Sequence, residues 1–188
     1  NCDWSSDVCS SDLRFLNREA ALCFSTGFQT NLGVISSLCG KGDIIFCDRE
    51  NHASIIDGCR LTFAETRKFR HNDTEHLESQ LQRATEEGSR GMLIIVDGAF
   101  SMMGDLADLP TITALARKYG ARVMVDEAHS VGVMGQNGRG VAEHFDVEAN
   151  VDLIVGTFSK SFASLGGFLA GPEAVIHYVK HHARSLIF

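Results

Sequence analysis

Lys160 is the residue with the most pointed chemistry. In DLIVGTFSKSFASLGG an apolar run ends at Gly156, Thr157 and Ser159 precede the lysine, and Gly166-Gly167 follows it. A lysine held between a buried strand and a glycine pair, with hydroxyls beside it, suits an amine that forms a Schiff base while the hydroxyls bind a phosphate. In VMVDEAHS, Asp126 and His129 leave the end of another apolar run. A carboxylate there can bind magnesium or pair with a protonated ring nitrogen of a cofactor. Gly27-Phe28 precedes a helical segment, where backbone amides and the positive helix end favour a phosphate. His52, in Asn-His-Ala-Ser, opens a helix, and taken alone its ordinary role is a cap.

Other chemistries fit these residues less well. Asp-Glu-Ala-His also occurs in nucleotide motors, but those need G-x-x-x-x-G-K followed by Ser or Thr. The Gly-Lys pair of this chain, Gly40-Lys41, is followed by Gly42. Gly132, Gly135 and Gly138 recur every third residue, which is a tight loop and not the dinucleotide-binding G-x-G-x-x-G. Asp97, Asp126 and His129 could serve a metal-dependent hydrolase, yet that reading leaves Lys160 and its hydroxyls without a purpose. No Cys/His set has zinc-ligand spacing, and no metal is expected.

These residues must be positioned by a repeating frame. Strands are expected at 21–24, 43–47, 65–69, 92–96, 122–125, 152–156 and 167–170, and helices at 30–38, 53–61, 74–87, 109–119 and 172–183. Leu77 and Leu81 stand one turn apart among charges, while Pro110 and Gly120 mark the start and end of one helix. Strands alternating with helices predict a three-layer α/β/α fold around a mostly parallel, buried sheet. Ligands of such sheets bind beyond the C-terminal strand ends. The polar stretches 25–28, 48–52, 97–101, 126–130 and 157–160 should therefore converge on one edge.

The chain has 188 residues, with a net charge of −7, 44% hydrophobic and 22% charged residues. That describes a folded domain or a large part of one. The acidic balance argues against a nucleic-acid partner, and no apolar run is long enough for an integral membrane segment. Cys2, Cys9, Cys23, Cys39, Cys47 and Cys59 form no C-x-x-C pair. Cys23 and Cys47 lie in apolar runs as small hydrophobes, which suits a reducing, cytoplasmic setting. Residues 1–13, with Ser-Ser-Asp twice, read as a non-native or disordered leader, and residues 14–188 as the folded domain.

Taken together, FSTGF, NHASIIDGCRL, FRHND, DGAFSMMGD, VDEAHSVGVMGQNGRG and GTFSKS resemble the large domain of the α-oxoamine synthases, in that family's order. These are pyridoxal 5'-phosphate (PLP) enzymes of the aspartate-aminotransferase fold, which join an amino acid to an acyl-CoA with loss of CO₂. The resemblance implies that Lys160 holds PLP covalently and that Asp126 pairs with its ring nitrogen. It implies that His129 bonds the phenolic oxygen, His52 stacks on the ring, and Ser101 faces the cofactor. Gly27, Phe28, Thr157 and Ser159 would hold the phosphate. Many relatives carry Tyr at Phe28, so the backbone donor is kept and the hydroxyl lost.

Within the family, GTFSKS and HHARSLIF are most similar to the bacterial serine palmitoyltransferase branch. The expected reaction joins L-serine to a long-chain acyl-CoA and gives a 3-ketosphinganine-type amino ketone. The alternatives are 8-amino-7-oxononanoate synthase, which uses alanine, and 2-amino-3-ketobutyrate CoA ligase, which uses glycine. A reading of another class is a truncated, non-catalytic piece, because the family's N-terminal segment and small C-terminal domain are not recognisable in this chain. The resemblance further implies a homodimer with its site at the interface, and peripheral contact with the inner membrane through the acyl-CoA.

Overall fold

The computed structural model describes residues 15–187. The leader expected over residues 1–13 lies outside the described residues. Seven strands form one sheet: β1 (Ala20–Phe24), β2 (Asp43–Asp48), β3 (Glu65–Phe69), β4 (Gly91–Asp97), β5 (Arg122–Asp126), β6 (Leu153–Thr157) and β7 (Gly167–Gly171). Their order across the sheet is β1-β7-β6-β5-β4-β2-β3. β2 to β6 are mutually parallel, while β7 runs antiparallel to both β6 and β1. The sheet is thus mostly parallel, and the seven expected strands all form.

Side-chain alternation along each strand divides the interior into two cores. Ile45, Cys47, Leu93, Ile95, Met124 and Val155 face one side. There they meet helices α1 (Gly27–Leu38), α2 (Ala53–Arg60) and α6 (Glu173–His182) through Val34, Ile35, Ile55, Ile176 and Val179. Ile44, Phe46, Ile94, Val96, Val123 and Ile154 face the other side. They pack on α3 (Thr74–Glu87) and α4 (Leu109–Tyr119) through Leu77, Leu81, Ile112 and Leu115. Central strands buried on both faces read as continuous apolar runs, which is why they were legible.

Local signals set most helix ends. Asp73 caps α3 by accepting from the His76 amide at 2.8 Å, and Asp108 caps α4 by accepting from Thr111. Gly88 and Gly120 end those helices in the left-handed conformation. α1 starts three residues earlier than its apolar period suggests, because the Thr26 side chain accepts from the Gln29 amide at 3.0 Å. Two four-residue helices, α5 (Val141–His144) and α7 (Arg184–Ile187), were not expected. One turn is too short to display a helical period.

The reversed β7 carries a constraint toward the cleft. A Cβ placed on Gly167 would lie 2.6 Å from the Gly27 Cα and amide nitrogen. The start of β7 therefore seats the first turn of α1. Gly167→Ala should cost about 1–3 kcal/mol through overpacking, read as a fall in melting temperature of several degrees. An unchanged melting temperature would show that α1 is not wedged against β7.

Candidate active site

Parallel register delivers the reactive residues to one edge. Asp97 closes β4, Asp126 closes β5 directly beside it, and Thr157 closes β6. Gly27 and Phe28 form the first turn of α1, and His52 caps α2. Together with His129 and Lys160 they line a cavity of about 280 Å³. Of the stretches expected to converge, 25–28, 48–52, 97–101, 126–130 and 157–160 each contribute a lining residue.

Asp126 is buried, with 6% exposure, and both its oxygens are engaged. Oδ2 accepts from Asn31 Nδ2 at 2.7 Å, and Oδ1 accepts from the Ala128 amide at 3.0 Å. Asn31 Nδ2 also donates to Ser54 Oγ at 2.9 Å, and that hydroxyl lies 2.8 Å from His52 Nδ1. The Ser54 amide points at the same ring nitrogen. His52 Nδ1 is therefore an acceptor, and the neutral ring carries its proton on Nε2. His52 both caps its helix and lines the cleft, with the Phe28 ring edge-on to it at 6.3 Å.

Lys160 Nζ lies 2.5 Å from His129 Nε2. Burial lowers the lysine pKa, against the pull of Asp126 and Asp97 in the opposite direction. Burial, then the Lys160 charge, lowers the pKa of His129. The pair is set up with a neutral imidazole accepting from the amine. Thr157 Oγ1 donates to the Gly166 carbonyl at 2.9 Å and lies 2.9 Å from Ser159 Oγ. Two hydroxyls thus stand opposite the positive end of α1, an arrangement suited to an anion. Ser101 is exposed on the turn after β4 and does not line the cavity.

Sequence reasoning gave Asn31 and Ser54 no part in the site. The signal for Asn31 was an amide inside a helix, where it is disfavoured unless its side chain has work elsewhere. Glu127, next to Asp126, is fully buried. Its Oε2 accepts from the Val141 amide and its Oε1 from the Ala142 amide, each at 2.9 Å, and it also accepts from the Ser130 hydroxyl. That carboxyl group ties the start of α5 to the chain just after β5. Among the described residues, no group of three or more His, Cys, Asp or Glu is arranged to hold a metal ion.

Beside the cleft, His71 clasps the end of β2 and the loop after β4. Its Nδ1 is 3.0 Å from Asp48 Oδ1 and its Nε2 is 2.9 Å from Asp105 Oδ2. Burial opposes the charged ring, but the two carboxylates outweigh it and raise its pKa. A raised folded-state pKa stabilises the fold fully below the ordinary histidine range, and that contribution vanishes as pH rises through the raised value. The stability gap between the native protein and His71→Gln should therefore narrow as pH rises from the ordinary histidine range into the alkaline range. A constant gap in thermal melts across that range would refute the ionic clasp.

A mostly parallel sheet with a reversed strand, helices on both faces and a lysine at its C-terminal edge defines an aminotransferase-like α/β domain. The chain belongs to the aminotransferase class I and II family, whose sequence profile matches residues 8–188. It is 54% identical over 174 residues to a serine palmitoyltransferase from Bacteroides thetaiotaomicron, covering 93% of this chain and 44% of that protein. It is 49% identical over 175 residues to an 8-amino-7-oxononanoate synthase from Geobacter sulfurreducens, again covering 93% of this chain and 44% of that protein. Among solved structures it is similar to a serine palmitoyltransferase from S. paucimobilis with a bound PLP–myriocin aldimine. The TM-score is 0.93 at 43% identity, over 97% of this chain and 45% of the other. The chain thus spans less than half the length of these relatives.

Proposed function

We propose that residues 14–188 form the PLP-binding large domain of an acyltransferase that joins an amino acid, L-serine by preference, to a long-chain acyl-CoA. The observation that carries this reading is Lys160 Nζ against His129 Nε2 in the cavity floored by Asp126. The 54% identity to a serine palmitoyltransferase supports the serine branch. The 49% identity to an 8-amino-7-oxononanoate synthase keeps alanine as the second candidate.

The residues fit the cofactor on structural grounds. An amine of lowered pKa, a hydrogen-bonded carboxylate, a helix N-terminus and paired hydroxyls surround one cavity. PLP supplies, when bound, an aldehyde for amines to condense with and a ring that withdraws electrons from the substrate α-carbon. Asp126 would hold the ring nitrogen in its protonated form, because a nearby carboxylate favours a cation. The Gly27 and Phe28 amides, Thr157 and Ser159 would hold the phosphate. Phe28 and His52 would cover the ring and exclude water.

Lys160 has two tasks, and burial serves both by favouring its neutral form. Its Nζ attaches the cofactor. The same nitrogen would take the proton from the substrate α-carbon, where the new carbon–carbon bond forms as CoA leaves, and would return a proton there once the carboxyl group has left as CO₂. His129 Nε2 fixes where that nitrogen sits. A homodimer completing the site belongs to this proposal, as does peripheral contact with the inner membrane through the acyl-CoA. Among the described residues no helix is long and apolar enough to cross a membrane.

Borohydride reduction in the presence of PLP, followed by peptide mass spectrometry, should place stoichiometric label on Lys160. Scattered or absent label on folded protein would overturn the reading. Lys160→Ala should lose the label, and in the intact protein its turnover should fall by at least about 10²–10⁴-fold. Absorbance titration with serine, alanine and glycine then ranks the substrates. Saturable change with serine at the lowest concentration is expected, and a stronger response to alanine would move the assignment to the second candidate.

A further inference from the structure

The cavity floor holds two adjacent carboxyl groups, and they are not equivalent. Asp97 and Asp126 are register partners at the ends of β4 and β5, with 5% and 6% exposure. Asp126 receives a donor on each oxygen, from Asn31 and from the Ala128 amide. Asp97 receives one, from the His52 amide to Oδ2 at 2.9 Å. Its Oδ1 is buried and has no hydrogen-bond partner. Two adjacent buried carboxylates do not both ionise readily, and the one with fewer donors keeps the proton. With Oδ2 occupied as an acceptor, the proton belongs on Oδ1.

We propose that Asp97 is a positioning residue that works as a neutral carboxylic acid, holding the His52 amide through Oδ2 and leaving Asp126 as the single negative charge of the cavity floor. This rests on the reading of the cavity as the PLP site. Burial, and then the neighbouring Asp126, raise the pKa of Asp97 to about 8, against the His52 amide and Lys160. The groups around it are Asp48 at the end of β2, His52 at the start of α2, Asp126, His129 and Lys160, with Glu127 packed behind Gly98.

The neutral state matters for Lys160. A charged Asp97 would hold the lysine in its protonated form, since its charge raises the Lys160 pKa. A protonated amine does not condense with an aldehyde. Ionisation of Asp97 in alkali should therefore oppose cofactor uptake, an effect of opposite sign to the usual gain as a lysine deprotonates.

The test uses the intact protein with ¹³C-labelled aspartate carboxyls, and PLP affinity measured in parallel by absorbance. The Asp97 carbon signal is identified by its loss in Asp97→Asn, or in Asp97→Ser should the first variant not fold. The signal should titrate near pH 8 in cofactor-free protein. At about pH 7, Asp97→Asn should bind PLP within about twofold of the native protein, while Asp126→Asn should bind more than about tenfold more weakly. At about pH 9 Asp97→Asn should bind more tightly than the native protein. A signal titrating in the ordinary carboxylate range, or a loss of affinity in Asp97→Asn at pH 7 equal to that of Asp126→Asn, would each overturn the proposal. If native protein takes up no PLP, the cofactor reading fails by itself, and the carbon titration still decides the state of Asp97.

Discussion

The lateral register of parallel strands β4, β5 and β6 is the constraint on which the cleft rests. Hydrogen bonding aligns Asp97 with Asp126 and sets Thr157 beyond them. A slip of one residue would turn Asp126 from one face of the sheet to the other and exchange it with Val125, which is core. The two apolar cores forbid that slip, because every strand would place its inward residues on the wrong side. Burial that holds the fold together is therefore the same burial that fixes the reactive carboxyls.

That burial also sets the electrostatics. Lys160, His129 and Asp97 all shift toward their neutral forms with desolvation as the leading cause. Asn31 and the Ala128 amide both donate to Asp126. The cleft thus combines an amine and an imidazole whose burial favours their neutral forms with one carboxylate held by two donors. Glu127 ties the start of α5 to the chain just after β5 through two backbone amides, so the loop bearing His129 is anchored from within the core.

Much of the frame was legible because its signals are local. Strand runs, the caps Asp73 and Asp108, and the terminal glycines of α3 and α4 each depend on neighbours in the chain. The helix boundary at Thr26 was read late because a side-chain cap overrides apolar periodicity. α5 could not be read because Glu127, which satisfies its first amides, lies fourteen and fifteen residues away in sequence.

The sequence alone determined the fold class and the placing of Lys160, Asp126, His129, His52 and Gly27 after strands or at helix starts. Those follow from hydrophobic period and residue type, which chain neighbours settle. Only the tertiary structure decided that β7 runs against its neighbours, that Asn31 and Ser54 link Asp126 to His52, and that Ser101 stands exposed outside the cavity. It alone separated Asp97 from Asp126. Those distinctions depend on which distant donor reaches which oxygen, and a hydrogen bond across 95 residues of chain has no local trace.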